Sequence, residues 1–204
     1  MFEWISDHST FVQASVGIVT ALVWVIYLHI LVSGLRRQRR SEILITLAGA
    51  RDLSGRILVS NLGFEPIYIL DILLRSRAEA DERTVSVAER TEVRFEDRTS
   101  SDQVTLQMPL KSGDFVDIGQ FETLLRRARP SASQHGDASD LTHVEITVVA
   151  VTAATTSIVA ARRGFGIQRS GKDRITLRAD SLYARQIRRR RERRRIERQL
   201  EDLL

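Results

Sequence analysis

An uninterrupted apolar segment at residues 11–35 constrains this chain more than any other feature. As a helix with a rise of ~1.5 Å per residue the segment would be ~37 Å long, whereas the hydrocarbon core of a bilayer is ~30 Å thick. No charged residue interrupts it, and a basic cluster follows at once, formed by Arg36, Arg37, Arg39 and Arg40. Because basic residues beside a span stay on the cytoplasmic side, the segment predicts a single-pass anchor with its N-terminus outside and residues 41–204 in the cytoplasm.

A cleaved signal peptide is the competing interpretation of this region. Such a peptide needs a basic start, an apolar stretch of about 7–15 residues and a small-residue cleavage site. Here Glu3 and Asp7 make the start acidic, and the apolar segment is longer than that range. We therefore favour a retained anchor.

The formal net charge of +5 is distributed unevenly along the chain. Residues 185–204 carry nine arginines and four acidic residues, whereas residues 41–184 carry 18 basic and 20 acidic residues. Basic character is thus confined to the two flanks of a nearly neutral region, a pattern typical of segments that meet anionic surfaces. The chain has 29 arginines, two lysines and no cysteine. This usage suggests a GC-rich bacterial genome and excludes disulfides and thiolate metal sites.

Short segments of alternating polar and apolar residues dominate residues 42–178, where we expect seven to nine strands separated by turn residues. Strands are predicted at 91–95, 103–110 and 157–163 among others, and a polar loop at 131–140. Helical spacing appears there only at residues 121–128, before Pro130. Many short strands with few helical segments favour a β-sandwich over alternating β and α units. We expect residues 42–178 to fold autonomously.

The end of the chain has a different pattern. Residues 180–204 are good helix formers without Gly or Pro, so they predict one continuous helix. The chain therefore divides into a tail and anchor with its basic stop (1–40), a β-sandwich domain (41–178) and an arginine-rich C-terminal helix (179–204).

The β-domain resembles the immunoglobulin-like β-sandwiches in two phrases. The sequence from Ile57 to Ile69, ILVSNLGFEPIYI, is similar to their strand–Asn-x-Gly–Pro–strand phrase. The later Lys111-Ser112-Gly113-Asp114 fits the same group. The resemblance implies an antiparallel sandwich and mostly adhesive or scaffolding roles. The disulfide pair and core tryptophan of antibody domains are absent, and the resemblance names no activity.

The strongest charge signal lies in the C-terminal region, at Arg188, Arg189, Arg190, Arg191, Arg193, Arg194 and Arg195. At helical spacing these arginines would surround the helix rather than form one stripe. Three partners fit this charge: anionic lipid headgroups, nucleic acid or ribosomal RNA, and an acidic protein subunit. No aromatic residue interleaves with the arginines, so base stacking has no support. The heptad spacing of Ile196, Leu200 and Leu203 allows a short helix contact.

Three residues of the apolar segment are candidates for contacts within the membrane. Gly17 and Ala21 have the small-xxx-small spacing that lets membrane helices pack closely. His29 is ionisable, so it is either a ligand for haem or a pigment, or a residue at the headgroup level. It lies two turns before Arg36, where a histidine costs little, and we favour the headgroup placement.

Two patterns that suggest chemistry fail on inspection. Residues 166–173 match a phosphate-binding loop except at the last position, where Asp173 replaces the hydroxyl residue that holds Mg²⁺, and no helix pattern follows. His143 and Glu145 alternate onto one strand face with no nucleophile or third partner, which favours a solvated face over an acid–base pair. We expect no enzyme activity, cofactor or metal site.

The sequence therefore predicts a non-enzymatic accessory protein of the bacterial inner membrane. Its cytoplasmic domain would dock on lipid or on other membrane subunits and scaffold a membrane complex. The alternative is a membrane tether for nucleic acid or the ribosome, acting through the C-terminal arginines.

Overall fold

A computed structural model describes residues 9–38, 41–78, 82–89, 105–128, 141–152, 155–170 and 174–203. The chain divides into two compact units, Met1–Arg40 and Ser41–Leu204. The first contains one long apolar helix. The second is mostly β, with antiparallel sheets and a helix near its end.

Helix α1 spans Ser9–Gln38. Its stretch Thr10–Gly34 is 25 residues long, apolar enough to cross a membrane, and unburied. The hydroxyls of Ser15 and Thr20 each donate a 2.8 Å hydrogen bond to the carbonyl four residues earlier. The helix thus satisfies these polar groups itself, as an apolar environment requires. The predicted long apolar helix is confirmed.

The second unit begins with strands, and its described elements follow in chain order. They are β1 (Ile43–Ala48), β2 (Arg56–Asn61), β3 (Ile67–Ala78), β4 (Glu82–Ser86), β5 (Pro109–Leu110), β6 (Phe115–Gln120), α2 (Phe121–Arg127), β7 (Leu141–Thr152), β8 (Thr155–Ser170), β9 (Arg174–Ala179), β10 (Arg185–Ile187) and α3 (Arg190–Glu201).

The strands form two antiparallel sheets. The smaller sheet has the order β1-β2-β6, and the larger has the order β10-β8-β7-β3-β4, with β5 beside β3 and β9 beside β8. In the larger sheet Leu73 lies opposite Thr147, which lies opposite Arg162. Side chains alternate between the two faces of a strand, so each register fixes which residues reach the core.

One hydrophobic core lies between residues of both sheets. Ile45 and Val59 of the smaller sheet and Ile72 and Ile146 of the larger sheet are fully buried members of the same cluster. Phe121 at the start of α2 and Phe165 of β8 meet edge to face, with ring centroids 5.8 Å apart. Each such side chain contributes roughly 1.5–3 kcal/mol through burial. This core is what the alternating sequence pattern predicts.

A second, smaller cluster covers the opposite face of the larger sheet. Ile196 of α3 is 5% exposed. It packs over a group of sheet residues, namely Leu73, Val149, Ile158, Ala160 and Ile187, with Leu70, Val151 and Leu200 at the margin. Helix α3 is therefore part of the folded domain.

Strands β1 to β4, β6, β7 and β9 form where strands are predicted. Strand β8, predicted at residues 157–163, extends over Thr155–Ser170 because it pairs with β7 along its first part and with β9 along its last part. The strand expected at 103–110 is limited to Pro109–Leu110 within the described part of that segment. The strand expected at 91–95 and the loop expected at 131–140 lie outside the described residues.

The prediction of one helix from 180 to 204 is wrong in its first half. Arg185–Ile187 forms strand β10 on the edge of β8, and the helix begins only at Arg190. Burial of Ile187, which is 1% exposed, outweighs the helix propensity of this segment. The expected boundary at residue 178 is also wrong, because β9 continues to Ala179 and β10 belongs to the same sheet.

Candidate functional site

One end of the domain contains Ser41, the first residue of this unit. β1 starts at Ile43 and pairs antiparallel with β2, so Asn61 at the end of β2 lies opposite Ile43. Phe115 starts β6 opposite Ser60. We call this end, formed by residues 41–42, 61–66 and 110–115, the N-terminal pole.

Asn61 organises the N-terminal pole. It is fully buried, and its Nδ2 donates to the carbonyls of Glu65 at 2.8 Å and Leu110 at 3.1 Å. Its Oδ1 accepts from the Gly63 N–H at 3.0 Å. Its backbone also exchanges hydrogen bonds with the turn at 111–114. A buried amide with its polar atoms satisfied fixes local geometry, so both turns are held rigidly.

Gln186 of β10 joins the two sheets at the same end. Its side-chain Nε2 donates to the Ile43 carbonyl at 2.7 Å, and its Oε1 accepts from the Ile43 N–H at 3.2 Å. The amide thus reproduces a strand-pairing contact with β1. β10 runs antiparallel to β8 and toward the N-terminal pole, so the chain continues toward this end of the domain after Ile187.

The arginines that follow are not equivalent. Arg188, Arg189, Arg190 and Arg191 are exposed, and so is Arg194. By contrast, Arg193 is half-buried and its Nε donates to the Ile187 carbonyl at 3.2 Å. Arg195 borders a cavity of about 140 Å³ between α3 and the sheet. The arginines do not all surround one helix as expected, because Arg188 and Arg189 precede α3 and one face of α3 is docked on the sheet. The longest run of exposed arginines is residues 188–191, and Arg194 and Arg195 are exposed further along α3.

Ion pairs on the sheet hold the first turn of α3. Glu192 accepts a 2.8 Å hydrogen bond from Arg185 and lies 4.0 Å from Arg162. Arg162 also lies 3.7 Å from Glu145. Sequence reasoning missed this network. The only available signal was the spacing of Ile196 and Leu200, which indicated a short helix contact without naming its partner.

The candidate residues of the first unit lie on or beside α1. Arg36 and Arg37 continue its backbone, whereas Arg39 and Arg40 lie outside the described residues. Gly17 and Ala21 are exposed on the helix, and a methyl group added at Gly17 would meet nothing within 4 Å. His29 is also exposed. The surface suggested for helix packing is therefore open.

The acid–base candidates separate in the structure. His143 Nε2 pairs with Asp180 at 2.7 Å, while Glu145 faces Arg162. The His143–Asp180 pair depends on Gly164, where an added Cβ would lie 2.1 Å from the Asp180 carboxylate. Close packing of this hydrogen-bonded pair over a glycine is a structural contact, and His143 and Glu145 do not form the acid–base pair that was the less favoured interpretation of their spacing.

The apparent phosphate-binding loop has no such structure in its described part. Residues 166–170 belong to β8, and Arg174 starts the antiparallel partner β9, as expected for a hairpin. Residues 171–173 lie outside the described part of the chain. Among the described residues, no group of three or more His, Cys, Asp or Glu side chains is arranged to hold a metal ion.

A larger cavity of about 620 Å³ lies between the end of α3 and β3, bordered by Leu70, Asp71, Ser86, Leu200 and Leu203 among others. Burial raises the pKa of Asp71, against hydrogen bonds from Ser86 Oγ at 2.5 Å and from the Ile72 N–H at 2.6 Å. The carboxylate sits at a bulge in the pairing of β3 with β7.

Comparison with protein-family models, with curated proteins and with solved structures finds no match for this chain.

Proposed function

We propose that this chain is a single-pass protein of the bacterial inner membrane whose domain rests on the cytoplasmic surface. In this proposal α1 is the anchor, its N-terminus is outside, and the basic residues after it hold the orientation. The arginines at 188–191 bind anionic headgroups. The protein is a non-enzymatic accessory that scaffolds a membrane complex and presents its remaining surface to partner subunits.

An immunoglobulin-like sandwich is the proposed fold of the domain, and the strand order supports it. That fold places strands A, B and E in one sheet and G, F and C in the other, with C′ added beside C in variable-type domains. Assigning those letters in chain order to β1, β2, β3, β4, β6, β7 and β8 reproduces A-B-E and G-F-C-C′. Such sandwiches serve many roles, so the fold alone gives no function.

The pair of hydrogen bonds between the Gln186 side chain and the Ile43 backbone is the observation that carries the proposal. Gln186 lies two residues before the exposed arginines and bonds to Ile43, which lies two residues after Ser41. Ser41 follows the basic stop of the proposed anchor directly in sequence. Each basic residue close to an anionic surface contributes about 1 kcal/mol. Two arginine clusters that reach one lipid surface would therefore reinforce each other.

Vesicle binding by a fragment of residues 41–204 tests the headgroup contact. The wild-type fragment should bind vesicles that contain anionic lipid and release them as salt rises, because screening shortens to ~3 Å at 1 M. Replacing Arg188, Arg189, Arg190 and Arg191 by Gln should weaken partitioning by about 10²-fold or more, since about 1 kcal/mol is lost per residue. Circular dichroism must show that the variant keeps its β content.

A matched control changes the same charge elsewhere. Arg51, Arg83, Arg126 and Arg178 are exposed and lie away from the N-terminal pole, so their replacement by Gln should leave most of the binding intact. Equal losses of vesicle binding in both variants would mean that binding depends on net charge and not on the position of residues 188–191. Retention of RNA through purification, with no binding to vesicles, would favour the nucleic-acid tether instead.

A further inference from the structure

Apolar side chains project from the N-terminal pole. Leu62 is 55% exposed and Phe64 is 71% exposed, although the Gly63 between them is buried. Phe115, which starts β6 opposite Ser60 at the same end, is 65% exposed. Large apolar residues clustered at a turn mark an interaction surface more often than scattered ones do.

Hydrogen bonds and close packing fix the turn that carries Leu62 and Phe64. The Leu62 N–H donates to the Glu42 carbonyl at 2.8 Å, so the turn is bonded to the first residues of the domain. A Cβ added at Gly63 would lie 3.1 Å from the Ser41 Cα and 3.2 Å from the Glu42 nitrogen. Glycine therefore permits this close approach, and Asn61 fixes the turn from below.

Chain connectivity limits how far this turn can lie from the proposed anchor. α1 ends at Gln38 and the domain begins at Ser41. Three residues span at most ~11 Å even when fully extended. The headgroup layer on each side of a bilayer is about 5–8 Å thick. If α1 spans a membrane, Ser41 and the turn bonded to it must lie close to the headgroups.

We propose that Leu62 and Phe64 insert into the interfacial layer of the bilayer that α1 crosses. This inference rests on the proposed membrane span. Amphipathic and aromatic side chains favour that layer. Glu42, Glu65 and Asp114 flank the turn, and their charges keep the insertion shallow. The turn and the arginines at 188–191 then form two parts of one footprint, apolar and cationic.

Single-cysteine labelling of the full chain in lipid nanodiscs tests the insertion, since the chain has no cysteine of its own. Phe64→Cys carries an environment-sensitive fluorophore at the turn. Leu182→Cys is the matched control, because Leu182 is 75% exposed and lies in the loop beside the far end of β1. Leu22→Cys lies midway along the apolar stretch Thr10–Gly34, so quenching of its label by nitroxides on the ends of the acyl chains reports the membrane span itself.

The label at residue 64 should shift its emission to the blue, and nitroxides attached near lipid headgroups should quench it several-fold more than the label at 182. If the label at 64 behaves like the one at 182 while the label at 22 is quenched, the insertion is wrong and the span stands. If the label at 22 is not quenched, the span is wrong, and the insertion fails with it. A blue shift of the label at 64 without quenching by lipid nitroxides would overturn the insertion and indicate that a protein surface covers the turn.

Discussion

Asn61 holds two turns of the N-terminal pole through one buried side chain. Asn61→Ala would leave the carbonyls of Glu65 and Leu110 and the N–H of Gly63 without this partner. Unsatisfied buried groups cost roughly 1–3 kcal/mol each and are not additive, so we expect a loss of about 3 kcal/mol in unfolding free energy. Denaturant titration of residues 41–204 measures it. Thr142→Ala, which removes only an exposed bond to the Arg77 carbonyl, should cost less than about 0.5 kcal/mol.

Asp71 gives a prediction with a defined pH sign. Burial raises the pKa of its carboxyl in the folded protein. Ionising this carboxyl therefore costs more in the folded than in the unfolded protein. The charge lowers the free energy of unfolding at pH values above the ordinary pKa of 3.8 and has no effect well below it. Asp71→Asn keeps an acceptor for Ser86 and Ile72 without the charge. At pH 7 the variant should be more stable, by less than about 1 kcal/mol because solvent still screens the group. In acid the difference should disappear.

Asp52 supplies the opposite control, and thermal melts of each variant and of the wild type across a range of pH measure both effects. Hydrogen bonds from Ser54 lower its pKa, so its contribution favours folding above the ordinary value and is lost in acid. Asp52→Asn should therefore be the less stable form at pH 7 and approach the wild type at low pH. A pH-independent difference for Asp71→Asn would show that burial of the charge is not its cause.

At the scale of elements, α3 depends on one apolar contact with the sheet. Ile196→Ala should destabilise its docking by about 2–4 kcal/mol, the usual range for emptying a buried site. Hydrogen exchange of the amides in Arg190–Glu201 measures this opening directly. Arg194→Ala alters an exposed neighbour on the same helix and should change protection by less than about 0.5 kcal/mol. Unchanged protection in Ile196→Ala would mean that the ion pairs of Glu192 hold the helix.

The same elements show how far the sequence could be interpreted. Alternation of polar and apolar residues at 84–88 indicated β4, because a half-buried strand leaves a period of two in its own residues. β10 leaves no such signal in three residues, and the burial of Ile187 arises only where β8 and α3 meet it. Asn61 stood in a recognisable phrase, yet its bond to Leu110 joins residues 49 positions apart. Local patterns carry periodicity, whereas these contacts depend on tertiary packing.

At the scale of the whole molecule, the compact unit is Ser41–Leu204 rather than residues 42–178. Truncation after residue 178 would remove Ile187 and Ile196 and uncover apolar residues such as Val149 and Ile158. Exposed apolar surface of this kind favours aggregation. The domain and its arginines therefore form one unit, and any orientation set by the anchor applies to both.

The proposed orientation across the membrane rests on the basic stop after α1. A fluorescent protein fused after Leu204 should be bright and alkaline phosphatase fused there inactive, because arginines within about 15–20 residues of a span resist translocation. Replacing Arg36, Arg37, Arg39 and Arg40 by Gln should raise phosphatase activity by producing inverted molecules. The equal charge change at Arg51, Arg83, Arg126 and Arg178 concerns the folded domain and should have a smaller effect, although Arg51 lies near the distance limit. An active phosphatase on the unmodified chain would reverse the topology and remove the arginines at 188–191 from the anionic cytoplasmic leaflet.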